Sequence, residues 1–340
     1  MKRREAKPRV LVTGASGFVG GNLCEALCTG GFEVRAVYRR AAVPRHLRAL
    51  RSKGVQLVRS DLASDADLTP VVRSIDTVVH AGGMAREWGP RSEFLRQNYG
   101  ATVRLVEASE RAGCSTFLYV SSVAVHGFEG HIGTTEEGPY FRLPFAYQMS
   151  KKKAEDHVLR RNRSDFRTVV IRPGNVYGAR DTTIFDKFFA LMKLGVMGYL
   201  DRGKYLTCPT YVENLSEAVL RVIEKSPGGE VYIVTDGERL TWRVFLGSFC
   251  SEFGIKIVWL DGVPAWLARG ASHVMTHLYE LFGSSAPPPL NPYRIEHASH
   301  DYDFSIRKAQ TVLGYGPSIH WMEGVRRTAR AYLHSKEENR

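Results

Sequence analysis

The chain has 340 residues, 44% hydrophobic and 24% charged, enough to bury a sizeable core as one large domain or two unequal ones. Its formal charge of +12 admits a nucleic acid, an anionic membrane surface or an anionic small molecule as partner. Nucleic acid is set aside because the arginines are scattered, the basic runs (MKRR, SKKK, LRRNR) are short and no nucleic-acid-binding module is present. Five cysteines without a C-x-x-C pair point to a reducing compartment, and HVMTH at 273–277 lacks the glutamate of a zinc motif, so no metal site is expected.

The first residues are basic but carry no apolar stretch, so no secretory signal is expected and the cytoplasm is the expected location. RVLVTG at 9–14 reads as a strand that runs straight into a helix over 18–29. Gly14, Gly17 and Gly20 are spaced G-x-x-G-x-x-G at that junction. Glycines there let the backbone turn tightly and approach a pyrophosphate, while the helix N-terminus offers unpaired N–H groups. The expected contacts are Gly14, Ser16, Gly17, Phe18, Val19 and Gly20. The second strand, EVRAVYR, ends at Arg39 and Arg40, with Arg35 nearby. An acidic residue at that place takes ribose hydroxyls and arginine favours a 2′-phosphate, so NADP(H) is favoured over NAD(H). The alternative is a pair of solvated surface arginines. A helix near 44–52 and a third strand, VQLVRSD, follow, and Asp61 at its end is placed to hydrogen-bond an adenine ring.

After a helix near 64–73 come the fourth strand, DTVVHAG, a long helical stretch over 91–112, and the fifth strand, TFLYVSS, which sets Ser121 and Ser122 at the carboxyl edge of the sheet. The helix predicted over 145–164 carries Tyr147 and Lys151, which share a face at a spacing of four. A phenol has a pKa of about 10, and a neighbouring ammonium lowers it. Tyr147 can then exchange a proton with an alcohol or ketone oxygen while a serine hydrogen-bonds that oxygen. The same letters recur as AYLHSK at 331–336. Tyr332, however, stands on the last helix beside a charged tail, with no strand edge to serve, and is expected only to pack.

RTVVIRP at 167–173 is the sixth strand. Near-continuous apolar strands alternating with helices predict an α/β fold, a Rossmann-type doubly wound parallel sheet with a smaller C-terminal substrate lobe. Its ligand belongs outside the carboxyl ends of the strands. The lobe is read from helices around 182–194, 213–225, 241–254, 264–282 and 320–334. In domain terms, residues 1–178, rejoined by 210–236, bind the dinucleotide, 179–209 and 237–335 form the substrate lobe, and 336–340 are a tail. The segment 263–282 is interrupted by Arg269, two histidines and Glu280, so no transmembrane span is expected. Its apolar residues Trp266, Leu267, Val274, Leu278, Leu281 and Phe282 predict a helix packed by one face, with a lid or a weak membrane-surface contact as alternatives.

In this order the motifs resemble the extended short-chain dehydrogenase/reductases over nearly the whole chain. TGASGFVG, Asp61 with Leu62, the HAGG at 80–83, the serines at 121–122, YQMSK and RPGNVYG each match a family motif. The resemblance implies that Ser122, rather than Ser121, acts with Tyr147 and Lys151. It adds Leu62, His80, Ala81, Gly82, Asn98, Pro173, Asn175 and Val176 to the cofactor contacts, with Asn98 as a structural or relay residue. Gly82 and Gly83 stand where alanines are commoner in the family, and Met84 and Trp88 add apolar bulk near the expected pocket.

TYVENLSEAV and the late PPPLNPYRIEHASHDYDF stretch resemble the 3β-hydroxysteroid dehydrogenase-like branch. That branch implies interconversion of a ketone and a secondary alcohol on a bulky apolar small molecule, steroid-like or a long-chain 3-keto compound. Met84, Trp88, Ser122, Asn175 and Phe185 are the expected substrate contacts, and Phe141 and Phe145 also suit an apolar pocket. The family resemblance further implies a homodimer through the helices 91–112 and 145–164. Two other readings stay open. A nucleotide-sugar epimerase or dehydratase with bound NAD is supported by Asn175 and opposed by Thr207, where that group carries an arginine. A cofactor-sensing regulator without catalysis is the third.

Overall fold

The structure, a computed structural model, describes residues 7–181, 198–255, 260–282 and 287–337. Phe185 and the helix expected over 182–194 lie outside the described residues. Seven strands form one sheet: β1 (Arg9–Thr13), β2 (Glu33–Tyr38), β3 (Gln56–Arg59), β4 (Thr77–His80), β5 (Thr116–Val120), β6 (Arg167–Pro173) and β7 (Glu230–Val234). Their order is β7-β6-β5-β4-β1-β2-β3, and every pairing is parallel. The seventh strand, which pairs Tyr232 with Ile171, is not among those predicted.

Helices cover both faces, and this explains the unbroken apolar runs. Val10 and Val12 pack into one core and Leu11 into the other, and β4 and β5 are buried at every residue. From β1 the chain winds outward through β2 and β3, then returns to β4 on the other side. The crevice at that reversal is where open parallel sheets bind ligands. The long helical stretch before β5 is continuous but not uniform: a π-helical turn over Leu95–Gly100 joins the α-helices Arg91–Phe94 and Ala101–Arg111. The helix expected over 64–73 is a single turn, Thr69–Val72.

Beyond β6 the chain forms short strand pairs that fasten the remaining residues to the carboxyl end of the sheet. Asn175–Tyr177 pairs with Pro209–Tyr211, Leu206–Thr207 with Leu240–Thr241, and Tyr302–Phe304 with His131–Thr134. A separate core gathers Tyr177, Tyr211, Phe245, Phe249 and Trp321, and Tyr332 packs against it, 6.1 Å from the Phe253 ring.

The Ala265–Leu281 helix corrects an expectation. It buries Ala265, Ala268 and Ser272, and its Arg269 pairs with Glu296. The apolar residues read as its packed face point outward: Trp266 is 71% exposed, Leu281 78% and the adjoining Phe282 80%. Small residues pack closely and leave the large ones outside. Among the described residues no helix is long and apolar enough to cross a membrane.

Candidate active site

The glycine turn comes first in the chain and in space. Gly14 has φ +69, and a Cβ there would lie 2.8 Å from Gly82 Cα; one on Gly20 would lie 2.3 Å from Gly14 O. The turn from β1 to the helix Phe18–Thr29 is therefore as tight as backbone allows, and the β4 end touches it directly. Gly17 caps that helix without a side-chain hydrogen bond, so the first-turn N–H groups remain available to an anion. A cradle that any side chain would fill, at a helix N-terminus, fits a dinucleotide pyrophosphate.

A buried hydrogen-bond chain fixes this edge. Gly82 N–H donates to Thr13 Oγ1 at 2.9 Å, Thr13 Oγ1 lies 2.6 Å from His80 Nδ1, His80 Nε2 lies 2.9 Å from Thr102 Oγ1, and Thr102 donates to Asn98 O at 2.5 Å. The directions agree only if His80 carries its proton on Nε2. Burial holds its pKa down to about 3, so it is neutral. His80, expected among the cofactor contacts, has both ring nitrogens engaged and supports the edge from behind.

Asn98 sits on the π-helical turn and is buried. Its Oδ1 accepts from Met84 N at 2.6 Å, and its Nδ2 donates to Ser150 Oγ at 2.9 Å. Ser150 donates in turn to Tyr147 O at 2.9 Å. Gly83 leaves the space for this, because a Cβ there would come within 3.0 Å of Asn98 Oδ1. Asn98 thus couples the loop after β4 to the helix bearing Tyr147.

Tyr147 and Lys151 open the helix Ala146–Arg160 beside the end of β5. The Lys151 ammonium donates to Val120 O at 2.6 Å and lies 4.5 Å from the Tyr119 ring centre. Burial lowers its pKa to about 7, opposed by the charge of Glu155. Tyr147 departs from expectation: burial raises its phenol above the ordinary value, and a hydrogen bond from Ser122 works in the other direction. Ser121 Oγ is committed to Glu155 Oε2 at 2.8 Å, whereas Ser122 Oγ accepts from Ala124 N at 3.2 Å and lines the same cleft as Tyr147. Glu155 also forms a buried ion pair with Arg172 of β6, which ties the helix to the sheet beneath Lys151.

At the other end of the crevice Arg39 and Arg40 are exposed, and Arg39 Nη1 reaches Gln97 Oε1 at 3.0 Å. Arg35 does not join them. Its guanidinium is held by Gln56 Oε1 and by the carbonyls of Val71 and Arg73. Asp61 Oδ1 accepts from Ala63 N at 3.0 Å in a tight turn, and Leu62 packs on the core.

A cleft of about 630 Å³ runs from the helix start at Phe18 and Val19 to Tyr147 and Lys151, and Gly14, Gly17, Arg39, Arg40 and Asp61 lie outside its lining. Its lining includes Phe18, Val19, Ala81, Met84, Trp88, Asn98, Ser122, Tyr147, Lys151, Pro173, Asn175 and Val176. Asn175 Nδ2 donates to Thr207 Oγ1 at 2.8 Å. Phe141 and Phe145 are outside the lining; Phe141 packs on His131 and Phe145 on Tyr293. The far wall was missed in the sequence: Phe128, Tyr293, Arg294, His297 and Tyr302, with Glu87 opposite, where it pairs with Arg294. The Asn-Pro helix start, with Tyr293 and His297 four residues apart, is the signal that would have found part of it. Among the described residues no cluster of His, Cys, Asp or Glu could hold a metal ion.

Residues 10–235 match the model of the NAD dependent epimerase/dehydratase family. The chain belongs to that family. It is an NAD(P)-dependent enzyme of the extended short-chain dehydrogenase/reductase type. One similar protein is the 4-hydroxy-2-methyl-3-oxo-4-farnesyl-3,4-dihydroquinoline-1-oxide ketoreductase of Stigmatella aurantiaca, 31% identical over 93% of this chain and 94% of that one. Another is the 3 beta-hydroxysteroid dehydrogenase/Delta 5-->4-isomerase of Mycobacterium tuberculosis, 31% identical over 91% of this chain and 86% of that one. The fold is shared with the dTDP-glucose 4,6-dehydratase DesIV of Streptomyces venezuelae, solved with NAD bound. That structure superposes with a TM-score of 0.78 at 21% identity, over 97% of this chain and 98% of that one.

Proposed function

We propose that the protein is an NADP(H)-dependent ketoreductase for bulky apolar ketones, with the reverse alcohol oxidation run by the same groups. The observation that carries this reading is that Ser122, Tyr147 and Lys151 line one cleft whose far wall is aromatic. Ser122 hydrogen-bonds the substrate carbonyl oxygen and Tyr147 delivers a proton to it. A bound reduced nicotinamide supplies the hydride to the carbonyl carbon. A phenol is protonated at neutral pH, the more so with its pKa raised by burial, as a proton donor to a ketone oxygen must be. Lys151, on the same face of the helix, sets a positive charge against the phenolate left behind until solvent returns the proton.

Two relatives named for a ketoreductase and a hydroxysteroid dehydrogenase favour apolar substrates. A nucleotide sugar is disfavoured because Asn175 is engaged by the uncharged Thr207 and Arg294 by Glu87. Arg39 and Arg40 would meet the 2′-phosphate and Asp61 the adenine.

The test follows nicotinamide absorbance with NADPH and NADH against panels of polycyclic ketones, 3-keto acids and nucleotide sugars. Oxidation of NADPH by polycyclic ketones is expected, and turnover confined to nucleotide sugars overturns the reading. Replacing Arg39 and Arg40 together by Ala is expected to weaken NADPH at least ten-fold more than NADH, since each arginine–phosphate contact is charge-assisted. Equal weakening of the two removes the 2′-phosphate role.

A further inference from the structure

The cleft holds polar groups that proton transfer at Ser122 and Tyr147 does not use. Asn291 caps the Pro292–Ala298 helix, its Oδ1 accepting from Arg294 N at 3.0 Å. Tyr293 and His297 then share one face of that helix, and both line the cleft. The Tyr293 ring meets Tyr147 edge-on with centroids 6.2 Å apart. The His297 ring lies 5.1 Å from Phe128 and 4.9 Å from Tyr302.

Both residues are part-buried among aromatic rings, and neither the Tyr293 hydroxyl nor the His297 imidazole has a hydrogen-bond partner among the described residues. Behind them the hydroxyl of Tyr302, a residue 1% exposed, is likewise unpaired. Polar groups without a protein partner in a largely apolar cleft are the ones that fix the orientation of a ligand.

Arg294 pairs with Glu87, whose Oε2 also accepts from Asn291 Nδ2 at 3.2 Å, while Arg86 is exposed at the rim. Burial keeps His297 neutral, with its pKa lowered to about 4. A phenol and a neutral imidazole can both donate to an oxygen, and neither brings a charge to pair with an anion.

We propose that Tyr293 and His297 form a second hydrogen-bonding station that selects ketones carrying a second, uncharged oxygen, a further ketone or a hydroxyl. The proposal rests on the ketoreductase reading above and adds a substrate class to it. Such a station discriminates strongly, because an analogue lacking the oxygen leaves the donors unpaired in an apolar wall.

The test measures kcat and KM with NADPH for matched ketones: trans-decalone against a decalindione, and androstan-3-one against androstane-3,17-dione. Wild type, Tyr293→Phe, His297→Phe and His297→Asn are compared, with melting curves and dinucleotide binding as checks on folding. Tyr293→Phe removes a single oxygen and keeps the ring. Wild type is expected to favour the two-oxygen member of at least one pair by roughly ten-fold or more. Tyr293→Phe and His297→Phe are expected to remove that preference by raising KM for the dione about ten-fold more than KM for the mono-ketone. His297→Asn is expected to restore part of it.

Equal losses on both members of a pair would assign the two residues to packing and overturn the station, as would a wild type indifferent to the second oxygen or one preferring a matched keto-carboxylate. In those cases ketone turnover itself survives. Turnover of no ketone at all overturns the ketoreductase reading and the station together.

Discussion

Burying the Lys151 ammonium costs stability. It is 7% exposed, and its folded pKa of about 7 lies below the ordinary 10.5. Both states are protonated below about pH 7, so the cost of burying the charge is fully present there. As pH rises from about 7 towards 10.5 the folded protein sheds the proton first, and the cost shrinks. Lys151→Met is therefore expected to abolish turnover and to give a more favourable change in Tm at about pH 6 than at about pH 9. A change in Tm that does not vary with pH would assign the effect to packing alone. Tyr147→Phe removes one oxygen and keeps the ring, so kcat is expected to fall by about 10²–10⁴-fold with dinucleotide affinity, read by fluorescence titration, nearly unchanged. Unaltered kcat would remove Tyr147 from the mechanism.

Elements position these residues, and their failures differ. A Cβ on Gly20 would strike Gly14 O, so Gly20→Ala is expected to open the turn and weaken NADPH at least ten-fold while the sheet still folds. Full affinity in a folded variant would show that the turn does not hold the phosphates. The buried pair Glu155–Arg172 joins the Ala146–Arg160 helix to β6. Arg172→Met strands a buried carboxylate and is expected to cost about 3–5 kcal/mol in urea unfolding; a loss below about 1 kcal/mol would contradict the pair's structural role. The six predicted strands were legible because coverage on both faces makes each run apolar, and the glycine turn because only glycine fits it. Side-chain direction was less legible. Arg35 sits on β2 near Arg39, yet its guanidinium binds carbonyls on the far side. The aromatic wall was unreadable because Phe128, Tyr293 and Tyr302 come from separate segments that meet only when Tyr302–Phe304 pairs with His131–Thr134.

At the scale of the whole molecule, a parallel sheet carries the dinucleotide edge while strand pairs and hydrogen bonds hold the C-terminal elements over it. Leu206 N donates to Asp301 Oδ1 at 2.9 Å and Gly133 N to Asp303 Oδ2 at 2.9 Å, so the Tyr302–Phe304 strand and the residue before it grip two other short strands. The apolar outer stripe of the Ala265–Leu281 helix contributes little to this packing. Leu281→Ser and Phe282→Ser are expected to change stability by no more than about 0.5 kcal/mol, and a larger loss by thermal melting would mean that the stripe is covered in solution. Dimerisation through the helical stretch 91–111 and the Ala146–Arg160 helix belongs to the proposed reading, and sedimentation at several concentrations tests it. The central claim is that Ser122, Tyr147 and Lys151 reduce an apolar ketone. Its most direct test is the loss of NADPH absorbance in the presence of a polycyclic ketone, measured side by side for wild type and Tyr147→Phe. The account predicts steady oxidation with formation of the secondary alcohol by the wild type and almost none by the variant; equal rates in the two, or no alcohol from any ketone, would contradict it.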